Sequence, residues 1–230
     1  MLDNLADTTT EMAGALEAPA VARAPVTGIA ILGSHPATVM AAPFSDPCWL
    51  IYSCSPHNVE HRQLPRVDQW YEVHTPIEDP TRAFGYLKAV SEMPFVWMRD
   101  QRALKSGLFK GAHEYPEKEL KGTSTAQKLQ TQRKDGSAEV RVVEVPNGDG
   151  LFCPYMFTSS IAYMLAKAIV DCEQRDIKQI GLWGIMQQSE GEYSYQRPGI
   201  QYFLHEATRR GIKVVANRES CLFDMPAWKW

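Results

Sequence analysis

The sequence predicts an α/β protein built on a doubly wound, mainly parallel sheet. Two observations lead to this prediction. Short apolar segments that end in polar turns recur along the first hundred residues, as is typical of strands buried on both faces. The last third of the chain alternates helical and strand patterns, and this alternation implies right-handed crossovers between parallel strands.

The first four strands are predicted from apolar runs bounded by turn residues. The run Val26–Leu32 stops at the turn Gly33-Ser34-His35-Pro36. Three similar runs follow it, namely Cys48–Tyr52, Gln69–Val73 and Pro94–Met98. Each of them is short, rich in β-branched or aromatic residues, and followed by a polar segment, which indicates a buried strand entering a loop.

Residues 110–150 interrupt this rhythm. The segment Glu117–Asp135 is polar and contains several lysines, and Asn147-Gly148-Asp149-Gly150 is a strong turn signal. We expect an insertion on the surface of the domain, in the form of a β-hairpin or a lid.

The last third contains two predicted helices between strands. Ser160–Cys172 carries apolar residues at 161, 164, 165, 168, 169 and 172, which form one face of a helix. Ile180–Trp183 is the next strand, and Pro198 suits the first turn of a second helix. The final strand is Ile212–Ala216. This order is that of a Rossmann-like fold spanning residues 26–230.

Residues 1–25 are rich in Ala, Thr and Pro and contain too little apolar surface to form a core. We expect a flexible arm that orders when a protein partner binds it.

Composition excludes several functional classes. The net charge of −3 and the isoelectric point near 6.1 argue against a globally basic nucleic-acid binder. No apolar stretch approaches the roughly 20 residues of a membrane span. The five cysteines form no C-x-x-C pair, and the N-terminus lacks a basic-then-apolar signal, so we expect a soluble cytoplasmic protein.

Ligands of open α/β sheets bind at the carboxyl ends of the strands, near the point where the strand order reverses. The hydroxyl groups of Thr158 and Ser159 precede a helix, where backbone N–H groups suit a phosphate, although both residue types are also common helix caps. Arg197 is predicted either to face an anion or to anchor its loop through Glu190 or Glu192.

Three histidines follow predicted strands and are candidates for a general base: His35, His57 and His74. His57 also begins the motif H-x-x-E-H, which binds zinc when it lies on a helix. Neither the dinucleotide motif G-x-G-x-x-G nor a Walker loop is present. We predict no metal site, and a zinc hydrolase ranks third among the functions that the sequence suggests.

These landmarks, in order, resemble the bacterial sialyltransferases with a Rossmann-like nucleotide-sugar domain and the related Rossmann-like proteins of phages and bacteria. Ile29–Pro36 matches the family's first strand and turn, and Thr158-Ser159-Ser160 matches its Thr-Ser-Gly helix start. Gly184-Ile185-Met186 corresponds to its Gly-Ile-Asp, and Ser220-Cys221-Leu222 to its closing Ser-Leu. The resemblance covers roughly residues 26–75 and 151–223.

The resemblance implies a cytidine-type nucleotide-sugar site. Its implied contacts are Ser34, Ser55, Ser159, Gly184, Tyr193 and Tyr195. Two positions depart from the family pattern: Met186 replaces the Asp of Gly-Ile-Asp, and Gln196 and Arg197 lie where a general-base histidine is expected.

Two functions rank above the zinc hydrolase. The first is a nucleotide-dependent transferase, most readily a glycosyltransferase that uses a nucleotide sugar as donor substrate. The second is a non-catalytic Rossmann-like accessory or assembly protein, of phage or virion type, which the two departures favour.

Overall fold

The computed structural model describes residues 24–60, 63–74, 84–132, 136–186, 193–216, 220 and 222, so the predicted arm lies almost entirely outside the described residues. Seven short strands make up the main sheet: β1 Gly28–Leu32, β2 Trp49–Ser53, β3 Gln69–Glu72, β4 Val96–Met98, β5 Ala112–Glu114, β8 Gln179–Trp183 and β9 Lys213–Ala216. They are all parallel, in the order β5-β4-β3-β2-β1-β8-β9. The predicted doubly wound α/β fold is confirmed.

Helices cover both faces of this sheet. One face carries four short helices: α1 Pro36–Val39, α2 His57–Glu60, α3 Phe84–Ser91 and α4 Gln101–Lys105. The other face carries α5 Glu117–Lys121, α6 Ser160–Arg175 and α7 Tyr193–Arg209. Strand β1 shows the division, because Ile29 and Ile31 pack beneath α6 and α7 while Ala30 and Leu32 pack beneath α1. Every residue of β1 is buried, as its continuous apolar run predicted.

Two further strands, β6 Ser124–Gln132 and β7 Ala138–Pro146, form a separate antiparallel hairpin. The predicted insertion, residues 110–150, was therefore too long, because its first part belongs to the main domain. Strand β5 is the edge of the main sheet, and Leu120 of α5 belongs to the main core. Neither element was predicted from the sequence, because both are short and polar. In α5, only Leu120 indicates burial.

Helix α6 is buried on more than one side, because every residue from Ile161 to Cys172 is buried. Its predicted apolar face is confirmed. A second stripe, Tyr163, Lys167 and Asp171, repeats every four residues along the helix and also faces the protein interior.

Each member of this second stripe contacts a different part of the sheet. Tyr163 packs edge-on against Tyr115, just after β5, with ring centroids 5.4 Å apart. The ammonium group of Lys167 lies 4.9 Å from the ring centroid of Trp97 in β4. The carboxylate of Asp171 accepts hydrogen bonds from Lys167, at 2.5 Å, and from the hydroxyl of Tyr52 in β2, at 2.7 Å. The helix thus crosses the sheet obliquely, and the buried ion pair is matched by polar and aromatic partners.

Helix α7 begins at Tyr193, five residues before the predicted start at Pro198. Proline favours the first turn of a helix because it lacks an N–H group. Here it lies inside the helix, and tertiary contacts support the turn around it. The hydroxyl of Thr158 donates to the carbonyl of Gln196 at 3.0 Å, and Gly199 packs so closely that a Cβ atom would lie 2.2 Å from Thr158 Oγ1.

Candidate functional site

The strand order reverses between β1 and β8, and this switch point brings two turns together. The N–H of Gly33 donates to the carbonyl of Trp183 at 2.8 Å, and the N–H of His35 donates to the carbonyl of Gly184 at 2.9 Å. A Cβ atom on Gly33 would lie 2.2 Å from the carbonyl oxygen of Gly184, whose own φ is +69°. Only glycine suits this contact, so the two turns pack directly against each other through their backbone atoms.

Buried side chains hold this junction in place. The hydroxyl of Thr38 in α1 accepts a hydrogen bond from the N–H of Gly184 at 2.9 Å. The side-chain amide of Asn58 in α2 donates to the carbonyl of Gly33 at 2.9 Å and to the hydroxyl of Ser53 at 3.0 Å. The ends of β2, β1 and β8 are therefore joined into one hydrogen-bonded unit.

Several predicted residues surround this unit. Ser34 and His35 are half-buried beside it, and Nδ1 of His35 is buried without a hydrogen-bond partner among the described residues. His57 is the exposed first residue of α2, and Ser55 is half-buried just before it. The described hydrogen bonds of this unit involve α1 and α2, whereas the start of α6 is contacted by His74.

His74 has a different position. It follows β3, faces solvent, and places Nε2 3.4 Å from the hydroxyl oxygen of Ser160, the first residue of α6. Ser159 caps this helix, since its hydroxyl accepts the N–H of Ala162 at 3.2 Å. The positive end of the α6 dipole thus lies at the carboxyl edge of the sheet, beside the imidazole of His74.

The residues predicted around the start of α7 have structural contacts. Thr158 donates to the carbonyl of Gln196, as described above, so its hydroxyl joins the segment before α6 to α7. Tyr195 is 59% exposed on the first turn of α7. Tyr193 is the first residue of that helix, but its side chain lies outside the described part of the structure.

Arg197 is buried, and Nε of its guanidinium donates to the carbonyl of Leu222 at 3.2 Å. The side chain of Gln201, one turn further along α7, donates to the same carbonyl at 2.8 Å. Arg197 therefore anchors the chain near its C-terminal end. The partners predicted for that anchoring role, Glu190 and Glu192, lie outside the described residues.

Arg99 is a charged residue of this edge that the sequence analysis did not select. It follows β4, its N–H donates to the carbonyl of Glu72 in β3 at 3.1 Å, and its guanidinium carbon lies 5.4 Å from the ring centroid of Tyr163. Its Nε also contacts a carboxylate oxygen of Glu117 at 2.7 Å. Since Ser160 and Tyr163 are one turn apart on α6, Arg99 and His74 approach neighbouring positions on the same helix.

Arg99 and Tyr163 keep fixed protonation states near neutral pH. Burial lowers the pKa of Arg99, but the hydrogen bond to Glu117 and the nearby Tyr163 outweigh it, and the net pKa is raised. Burial raises the pKa of Tyr163 to about 12, with Arg99 opposing the shift and Glu117 adding to it. Arg99 is therefore a permanent cation, and the hydroxyl of Tyr163 stays protonated.

Beside Arg99, a cavity of about 410 Å³ opens between the ends of β4 and β5, helix α5 and the base of the hairpin. Its lining includes the cations Arg99, Lys118 and Lys121 and the carboxylates Glu114 and Glu117. The volume suits a small-molecule ligand. This cavity lies at the predicted edge of the sheet, but toward β5 and away from the switch point.

One signal could have found part of this group. The rule that strand ends carry the site selected the ends of the first three strands and of Ile180–Trp183. The same rule applied to Met98 leads directly to Arg99. Lys118 and Lys121 had no comparable signal, because they lie on a short helix within a polar, lysine-rich segment.

No protein-family model, curated protein or solved structure matches this chain. Within the described residues, no cluster of three or more His, Cys, Asp or Glu side chains is arranged to bind a metal ion. The H-x-x-E-H motif is only partly described, because His61 lies outside those residues. None of the described helices combines the length and the apolar character required to cross a bilayer.

Proposed function

We propose that the carboxyl edge of the sheet binds a nucleotide or a nucleotide sugar and that the protein transfers the glycosyl group. The observation that carries the proposal is the juxtaposition of His74 with Ser160 at the start of α6, next to the cation Arg99. A phosphate at this place would meet a helix N-terminus and a guanidinium group. The cavity beside Arg99 offers room for the rest of the ligand.

The solvent-facing imidazole of His74 gives the site a general base within hydrogen-bond reach of an incoming group. In the proposed step, His74 accepts the proton of an acceptor hydroxyl, whose oxygen forms a bond to the anomeric carbon of the sugar. The bond between that carbon and the phosphate oxygen breaks, and the nucleotide leaves with the electron pair. Arg99 and the α6 dipole would stabilise the charge that develops on the leaving phosphate.

Isothermal titration calorimetry with a panel of nucleotides, nucleotide sugars and pyrophosphate tests the binding. A charge-assisted hydrogen bond contributes about 1.5–3 kcal/mol, so we expect Arg99→Gln to weaken binding about ten- to a hundredfold. The control is Arg209→Gln, which removes an exposed arginine that is also paired with a carboxylate, that of Glu206. We expect this control to bind as the unmodified protein does.

A His74→Gln variant separates binding from transfer. We expect it to bind the donor with nearly unchanged affinity and to lose most of the hydrolysis or transfer of the donor. Release of free nucleotide measures that activity. If no member of the panel produces heat with the unmodified protein, the proposed function is wrong.

The alternative is a non-catalytic assembly protein, and the exposed β6–β7 hairpin favours it. The base of the hairpin is firmly held: the carboxylate of Asp149 accepts hydrogen bonds from the N–H of Thr123 at 2.7 Å and from its hydroxyl at 2.6 Å. A hairpin anchored at its base and carrying exposed apolar side chains suits contact with another chain. Release of free nucleotide from any donor would contradict this alternative, because a non-catalytic protein turns over none.

A further inference from the structure

The β6–β7 hairpin is fully paired along its length, but several of its apolar side chains are exposed to solvent. Nine residue pairs join β6 to β7, yet none of the described hairpin residues is buried. Val140 and Val142 of β7 are 61% and 64% exposed. A two-stranded hairpin is at best marginally stable by itself, and an edge rich in β-branched residues pairs readily with another strand.

We propose that two copies of this chain associate through strand β7, so that two hairpins join into one four-stranded antiparallel sheet. Within the described residues, β7 pairs with β6 alone, and its other edge runs along the outside of the hairpin. Addition of a strand at such an edge is a common mode of protein association. A twofold axis makes the contact self-complementary and closed.

Charge and side-chain direction select one register. Val140 and Val142 share one face of the strand, and Glu139 and Arg141 share the other, where their side chains meet at 3.1 Å. If Val140 of one copy lies opposite Val140 of the second, each Arg141 faces Glu139 of the other copy. Ala138 then faces Val142, so that valines from both copies cover one face and two ion pairs lie on the other.

The alternative edge does not offer this match. Strand β6 carries a single charged residue, Lys128, among polar side chains, so a twofold pairing of β6 with itself creates no ion pair. It also contains few of the β-branched residues that favour strand pairing, whereas β7 has valines at 140, 142, 143 and 145. The second copy is therefore expected on β7.

Sedimentation equilibrium over a range of protein concentrations tests the association. We expect a concentration-dependent dimer of the unmodified chain. Arg141→Glu places carboxylates opposite each other at both ion pairs, and we expect the dimer dissociation constant to rise on the order of tenfold or more. The double variant Glu139→Arg/Arg141→Glu restores opposite charges and should restore the dimer. Lys128→Glu is the matched control on β6 and should leave the dimer unchanged.

A covalent test needs no assumption about affinity. In the proposed register, Val140→Cys brings the two new thiols face to face across the twofold axis, and mild oxidation should produce a covalent dimer beyond that of the unmodified chain. Leu129→Cys, on β6, should not. A chain that stays monomeric at every concentration, or an Arg141→Glu variant that dimerises as tightly as the unmodified chain, would overturn the proposal. Far-UV circular dichroism of each variant verifies that the fold is retained.

Discussion

Helix α6 and the β6–β7 hairpin place their side chains in opposite environments. In α6, the charged residues Lys167 and Asp171 are buried, whereas in the hairpin Val140 and Val142 are exposed to water. The buried charges have specific partners on the sheet, but the exposed valines have none that would cover them among the described residues. The comparison shows that polarity alone does not determine which segments stabilise this molecule. Substitutions in α6 should change stability, and substitutions in the hairpin should change association.

The largest effect is expected at the buried ion pair. Asp171→Ala removes the partner of Lys167 and the acceptor of the Tyr52 hydroxyl, which burial keeps protonated by raising its pKa well above the ordinary value. Leaving one buried charge without its partner costs about 3–5 kcal/mol. Urea unfolding followed by circular dichroism measures the loss of free energy of unfolding.

Two further variants test whether the lost partner is the cause. Lys167→Met together with Asp171→Asn removes both charges, and we expect it to recover part of the lost stability. Arg209→Ala breaks an exposed ion pair with Glu206 and should change the free energy of unfolding far less, because water screens that pair. Equal losses for Asp171→Ala and Arg209→Ala would contradict the importance of the buried pair.

A smaller effect is expected at the switch point. Gly184→Ala places a Cβ atom 2.9 Å from the carbonyl oxygen of Gly33 and from Cβ of Val39, at a positive φ. The conformational cost and the close contact together should lower the free energy of unfolding by roughly 2–4 kcal/mol. Gly211→Ala is the matched control, because its φ is +77° but its Cβ would have open space around it. That variant should lose only about 1–2 kcal/mol, and thermal unfolding scans compare the two.

The smallest effect concerns the base of the hairpin and depends on pH. Hydrogen bonds from the side chain and backbone of Thr123 lower the pKa of Asp149 below its ordinary value. This carboxylate therefore stabilises the base fully above the pKa of an unfolded Asp, near 3.9, and the contribution disappears as pH falls through the lower pKa of the folded protein. We expect an NMR titration of Asp149 to have its midpoint below that value. Thr123→Val should move the midpoint upward, and an unchanged midpoint would contradict the assignment.

The fold was predictable to a large extent, because its signals are local. Apolar residues indicate which positions are buried, as in the run before Gly33 and on the apolar face of α6. Turn residues indicate where the chain changes direction. The weakest predictions concerned Pro198 and the insertion. The proline lies inside a helix that contacts with Thr158 support, and β5 is a short edge strand with little apolar sequence.

The candidate site was predictable only in part, because its contacts join residues that are distant in the sequence. The rule on strand ends selected His74, but its contact with Ser160 joins residues 86 positions apart. The sequence likewise singled out Arg197 but did not predict its partner, the carbonyl of Leu222.

By itself, the sequence determined which segments become strands and helices, because the period of apolar residues encodes the face that each element buries. Only the tertiary structure decided that Tyr163, Lys167 and Asp171 lie over successive parts of the sheet and that Arg99 borders a cavity. Those outcomes depend on which strands are neighbours and on the angle at which α6 crosses them. Packing of the whole domain sets both, and no local pattern of residues encodes either.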